Sequence, residues 1–201
     1  EQQGELGYIG CRDVDAYTLR GYCHMTIPKL LLFTAEVPKE LWPKGTETLR
    51  DECVDALRDK QVYRSLPTLY RQFADEVGSK PKAEVREARA RFVVEHGPLE
   101  YGEKQGWKRF GFPLSYNSDA LEALLSLAAV GESRRTEYGP ALQLVEDAAD
   151  DEMRWTMRNS FNGKMIADVE RKGEPSRWVT LRALTALEHF GDTRDAREAR
   201  S

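Results

Sequence analysis

An all-α repeat architecture is the fold class this sequence predicts, and three observations predict it. Apolar residues recur at three- and four-residue spacings through most of the 201 positions, the spacing of one helix face. Almost no segment alternates apolar and polar residues as a half-buried strand would. One unit also occurs twice: a Pro-punctuated loop, a polar cap, then an amphipathic helix. The second copy runs Gly173-Glu174-Pro175-Ser176-Arg177-Trp178-Val179-Thr180-Leu181-Arg182-Ala183-Leu184, with Ser176 as N-cap and Trp178, Leu181, Leu184, Leu187 and Phe190 on one predicted face. The earlier copy runs Phe112-Pro113-Leu114-Ser115-Tyr116-Asn117-Ser118-Asp119 into Leu121, Leu124, Leu125, Leu127 and Ala128.

Taken in order, residues 1–22 carry Gly4, Gly7, Gly10 and Gly21 among mixed charges and read as loop. Periodicity then predicts helices at about 24–37, 46–61, 66–78, 82–96, 117–130, 134–149 and 176–190. Pro/Gly stretches at 37–45, 78–81, 97–113, 131–133 and 159–175 separate them. The 97–113 stretch holds Tyr101, Trp107, Phe110 and Phe112, too aromatic for a linker, and is expected to pack over a core or a pocket. Residues 194–201 alternate arginines with acids and read as a solvated tail. Residues 1–201 are therefore expected to form a single all-α domain or the C-terminal part of one, and the opening Glu1 points to sequence upstream.

Thirty Lys and Arg against 34 Asp and Glu leave a net charge of −4, which argues against nucleic acid as a partner. The longest apolar run, 27–37, is interrupted by Pro28, Lys29 and Glu36 and falls short of the roughly 20 residues of a membrane helix. No membrane span is expected. Three cysteines, Cys11, Cys23 and Cys53, make no disulfide framework, and with no visible signal peptide the expected location is the cytoplasm.

Four stretches carry a family resemblance. Gly173-Glu174-Pro175-Ser176 with Arg177-Trp178-Val179-Thr180-Leu181-Arg182-Ala183-Leu184 resembles the G-x-P-S-[RK]-W-x-T-L-R-A-L ending of bacterial prenyltransferase and squalene-cyclase repeat proteins. Gly10-Cys11 followed by Cys23-His24-Met25-Thr26 is similar to that family's cysteine-bearing loop and C-H helix start. Phe112-Pro113 through Asp119-Ala120-Leu121 resembles its P-x-x-[YW]-x-D-x-L-x-x-L segment, and Ala141-Leu142-Gln143 with Arg154-Trp155 resembles a degraded Gln–Trp repeat. The resemblance implies an α/α toroid of antiparallel helix hairpins around an apolar cavity. With about seven helices readable against the dozen of a full ring, it implies a partial ring, its C-terminal part. It also implies binding of an isoprenoid or another apolar molecule, since aromatic walls exclude water and stabilise cationic intermediates.

The chemistry that such relatives perform is only partly represented. Alkene protonation needs a D-x-D-D acid cluster, and Asp13-Val14-Asp15-Ala16 lacks its last member, leaving Asp13 and Asp15 as the catalytic candidates beside the simpler reading of a solvated loop. Diphosphate-bound magnesium needs D-D-x-x-D. Asp150-Asp151-Glu152-Met153-Arg154 ends in Arg, which disfavours magnesium. Zinc has donors of the right kind in Cys11, Asp13, Cys23 and His24, but Cys23 and His24 are adjacent and no C-x-x-C or H-x-x-x-H spacing occurs. The spacing favours a structural alternative, with Cys23 in the core and His24 bonding backbone at a helix start. Cys53 lies at core spacing, while His96 and His189 stand without a triad, and no nucleophile-elbow, P-loop or dinucleotide motif is present.

Trp107, Phe110, Phe112, Tyr116, Trp155, Phe161 and Trp178 are the candidate cavity wall, with structural plugging between helices as the alternative. Arg177 and Arg182 are candidates to receive a diphosphate; alternatively, Arg182 faces water or pairs with Glu188 or Glu174. Two functions therefore stand against each other. One is a terpenoid-cyclase or prenyltransferase-like protein holding an apolar ligand, its catalysis unproven. The other is a non-catalytic helical-repeat scaffold for a protein partner or for self-association. A closed aromatic-walled cavity would favour the first, and a shallow polar groove or a self-complementary apolar face the second.

Overall fold

The computed structural model describes residues 24–65 and 102–191, together with positions 84, 87, 88, 91 and 95. Among the described residues the chain is mostly helical. The five helices with defined bounds are α1 (Ile27–Glu36), α2 (Thr46–Asp59), α3 (Ala120–Ala129), α4 (Gly139–Glu146) and α5 (Arg177–Phe190). Single 3-10 turns, Lys39–Leu41 and Thr136–Tyr138, precede α2 and α4. Two antiparallel ladders of two residues each complete the set: β1 (Arg64–Ser65) with β2 (Gly102–Glu103), and β3 (Trp155–Thr156) with β4 (Pro175–Ser176). These ladders correct the expectation of an all-α chain; two-residue strands are too short for alternation to be visible in the sequence. The helix expected at 66–78 lies outside the described residues, and within 82–96 the described Glu84, Glu87, Ala88, Arg91 and Glu95 are helical.

Helix α3 is the hub of the fold. It packs on α1, α4 and α5, while α1 also meets α2 and α4 meets α5. Ala120, Leu121, Ala123, Leu124 and Leu127 are all fully buried, as expected for a helix that is apolar on nearly every side. Its two buried polar side chains are tied inside the fold. Ser126 donates to the Ala123 carbonyl at 2.8 Å, and Glu122 takes an ion pair from Lys29 of α1. The helix ends where Gly131, at φ +84°, turns the chain so that Gly131 N–H reaches the Ala128 carbonyl and Glu132 N–H the Leu127 carbonyl, both at 3.0 Å.

The Ser176 cap read from the sequence is present, accepting the Val179 N–H at 3.0 Å. At the earlier repeat, where the sequence offers a polar stretch with a helix start at about 117 and no single cap residue, Asp119 is the cap, accepting the Glu122 N–H at 2.7 Å, and the helix starts at Ala120. The predicted face of α5 is only partly the buried one: Phe190 is fully buried and Leu187 packs on the core, but the rest of that face is not. Val179, Ala183, Ala186 and Phe190 go into the core, whereas Trp178, Leu181 and Leu184 are 45%, 56% and 44% exposed. Helix α5 carries two apolar arcs, and the arc of small side chains is the one that lets it lie close against α3. Among the described residues, no helix is long and apolar enough to cross a membrane.

Candidate functional site

Three elements meet at Gly111. The chain approaches Asn159 so closely there that a Cβ on Gly111 would lie 2.5 Å from the Asn159 carbonyl oxygen, which only glycine avoids. The Gly111 N–H donates to Asp119 Oδ2 at 3.0 Å, and its carbonyl accepts from Arg182 Nη1 of α5 at 2.9 Å. Arg182 Nη2 also stands 4.0 Å from Asp119 Oδ1. One carboxylate thus caps α3, holds the incoming loop and faces the arginine that ties in α5. Burial pushes the Asp119 carboxyl up to about 6, against the pull of Arg182 and of its two backbone donors. Arg182 is therefore not a free diphosphate receptor, nor is it turned to water or paired with Glu188 or Glu174; its guanidinium is committed to this node.

On the outer side of the node, Phe112 stacks on Trp178 with ring centroids 4.9 Å apart and planes 11° from parallel. This is the pair of predicted wall residues that the fold brings together, and it stands at the surface. Arg177, the residue before Trp178, has its side chain 97% exposed and its Nε 3.8 Å from Glu170. Tyr116 is 68% exposed. Trp107 and Phe110 are instead core residues, so the 102–113 part of the aromatic loop packs over the core. Phe161 is half-buried, with Lys164 Nζ 5.9 Å from its ring centre. Trp155 is fully buried and donates its indole N–H to the Val145 carbonyl at 2.6 Å, plugging the turn after α4.

His24 is buried in the turn before α1, where its ring stacks on Trp107 at 4.2 Å. Among the described residues neither ring nitrogen has a partner in standard hydrogen-bond geometry. Burial holds its pKa well below the usual imidazole value; Lys104 and Lys60 add to this, and the nearby Val62 backbone opposes it. Two ammonium groups beside a neutral imidazole are a poor setting for a cation. The other zinc candidates, Cys11, Asp13 and Cys23, lie outside the described residues, as do Asp15 and His96. Among the described residues no three His, Cys, Asp or Glu side chains are placed to hold a metal ion.

The acidic turn after α4 satisfies itself. Asp150 Oδ1 accepts the Glu152 and Arg154 N–H groups at 3.0 and 2.9 Å, and Oδ2 pairs with Arg154 Nε at 3.0 Å. The Cys53 thiol is buried in α2, and burial pushes it up to about 12. His189 lies against Phe190 with Nε2 2.8 Å from the Glu132 carbonyl.

A shallow groove of about 260 Å³ runs between α2 and the turn after α3, lined by Arg50, Asp51, Val54, Asp55, Arg58, Val130 and Glu132. Its arginines are already paired: Arg50 with Asp51 at 2.7 Å and Arg58 with Asp55 at 2.5 Å. None of the predicted aromatic residues lines it. Sequence reasoning missed this groove and the Asp119–Arg182 contact, since nothing in a one-dimensional pattern links positions 63 residues apart. Asp119 alone had a local signal, lying in the polar stretch before α3. No protein-family model, curated protein or solved structure matches this chain.

Proposed function

We propose that this chain is a non-catalytic helical-repeat module that binds a protein partner through the outer face of α5. The observation that carries the reading is the exposure of Trp178, Leu181 and Leu184 on one helix, continued by the Phe112 ring stacked on Trp178. Large apolar side chains gathered on one surface mark association sites more often than accidents of composition. Further support comes from the groove, which is polar and shallow rather than closed and aromatic, and from Trp107 and Phe110, which fill the core. The toroid-like, partial-ring arrangement implied by the sequence resemblance remains the architectural part of this proposal; packing of α1 on α2 and of α4 on α5 around α3 is in keeping with it.

An isoprenoid ligand is the second reading, favoured by the flat Phe112–Trp178 stack as a hydrophobic platform and by the exposed Arg177, the residue before Trp178, as a cation able to receive a diphosphate. The two readings separate in one experiment. Wild type and Leu181→Glu/Leu184→Glu, verified as equally folded by thermal unfolding, are compared for proteins retained in a pull-down and for quenching of tryptophan emission by a prenyl diphosphate. Partners retained by wild type and lost by the variant support the interaction module. Saturable quenching that disappears in Trp178→Phe, with identical pull-downs, overturns it in favour of the ligand.

A further inference from the structure

The outer face of α5 carries a symmetry that names its occupant. Arg177, Leu181, Leu184 and Glu188 are all exposed, and at 100° per residue they fall within an arc of about 60°. Along the axis they are ordered cation, leucine, leucine, anion. The midpoint of Leu181 and Leu184 is also the midpoint of Arg177 and Glu188. We propose that the partner is a second copy of this chain, docked antiparallel along α5 about a two-fold axis passing between Arg182 and Ala183. The proposal rests on the reading above that this face binds protein, and adds the identity of the partner and the geometry.

In that arrangement Leu181 of each copy lies on Leu184 of the other, and Arg177 of each meets Glu188 of the other. The interface is isologous: one patch, used twice and self-complementary. A parallel arrangement would instead oppose Arg177 to Arg177 and Glu188 to Glu188, which like-charge repulsion disfavours. The arginine is free to exchange partners, because its contact with Glu170 is long at 3.8 Å and lies on a side chain that is 97% exposed, where an ion pair contributes little. Trp178 and Phe112 flank the leucines and extend the apolar strip at both ends of the symmetric contact. A helix of 14 residues is roughly 21 Å long and about 10 Å wide, a strip of about 200 Å², well below the about 800 Å² per partner of a standard-sized interface. The expected dimer is accordingly weak and depends on protein concentration.

Sedimentation equilibrium over a wide concentration range tests this with the whole chain. Wild type is expected to pass from monomer to dimer. Arg177→Glu and Glu188→Arg, each placing like charges together at both ends, are expected to raise the dissociation constant about tenfold or more. An equimolar mixture of these two variants is expected to form a heterodimer at wild-type affinity, because each end then carries one cation and one anion. Leu181→Glu/Leu184→Glu is expected to abolish association while leaving unchanged the melting temperature measured at dilutions where wild type is monomeric. Dimers that persist in all these variants overturn the proposal. So does a wild type that stays monomeric at every concentration; if that monomer still loses a pulled-down protein on Leu181→Glu/Leu184→Glu, the binding face stands and only the second copy is eliminated.

Discussion

The starts of α3 and α5 are written almost alike in the sequence and are used very differently. Both have a proline-bearing approach, a short polar cap and a run of leucine and alanine. At α3 the cap is Asp119, fully buried, which also receives the Gly111 N–H and faces Arg182 from α5. At α5 the cap is Ser176, whose hydroxyl is bonded to Glu170 of the loop just before it. One cap ties three elements together; the other closes a local turn. The helices that follow differ in the same sense: α3 is buried along nearly its whole circumference, and α5 presents one arc inward and leaves larger side chains outside. A local signal of fixed strength therefore marks where a helix begins, and its tertiary weight depends on what converges on it.

The sharpest test of that contrast exchanges equivalent leucines. Leu124→Ala in α3 is expected to cost about 3–4 kcal/mol in urea unfolding, from lost burial and the cavity left behind, whereas Leu181→Ala in α5 should stay within about 0.5 kcal/mol for the monomer. Equal costs would break the distinction between hub and rim. The next effect is electrostatic. With a folded pKa of about 6 against 3.8 for the free group, Asp119 favours the fold while protonated, fully below about 3.8, and this contribution is lost as pH rises through about 6. Relative to Asp119→Asn, wild type is expected to lose stability on the order of 3 kcal/mol between pH 4 and pH 7. Parallel stability–pH curves for the two proteins would show that the node does not feel its burial.

A smaller difference separates the caps themselves. Asp119→Ala is expected to cost about 2 kcal/mol at pH 7 and Ser176→Ala about 1 kcal/mol, measured by chemical denaturation; a reversed order would mean that Ser176 and its Glu170 contact hold more of the fold than their local geometry implies. His24 sharpens the picture from the start of α1, where a buried base titrates in the opposite sense. Its folded pKa lies well below 6.5, so its contribution is complete above pH 6.5 and is lost as pH falls toward the folded value. His24→Phe keeps a ring against Trp107 and removes the proton, and its unfolding midpoint should fall less between pH 7 and pH 5 than that of wild type.

Much of the helical framework was legible because its causes are local. Ser176 caps α5 as its sequence signal says, and Gly131, in a stretch read as a break, ends α3, each within a few residues of what it governs. The candidate site was less legible. Trp107 and Phe112 lie five residues apart in one aromatic loop, yet Trp107 stacks on buried His24 and Phe112 on exposed Trp178. Composition marks both as apolar and says nothing about which side of the loop meets the core. Arg182 could be assigned a partner only among charges on its own helix or the loop before it, while its actual partners, Gly111 and Asp119, arrive through the packing of α3 on α5.

From residue order alone came the predominance of helix, the positions of the described helices to within about five residues at their ends, and the core spacing of Cys53, because backbone hydrogen bonding and capping act over three or four residues. Which arc of α5 faces inward was decided only in three dimensions. Its two apolar arcs satisfy the same periodicity, and the mostly buried α3 accepted Val179, Ala183 and Ala186, whose small side chains allow close approach, leaving Trp178, Leu181 and Leu184 in water.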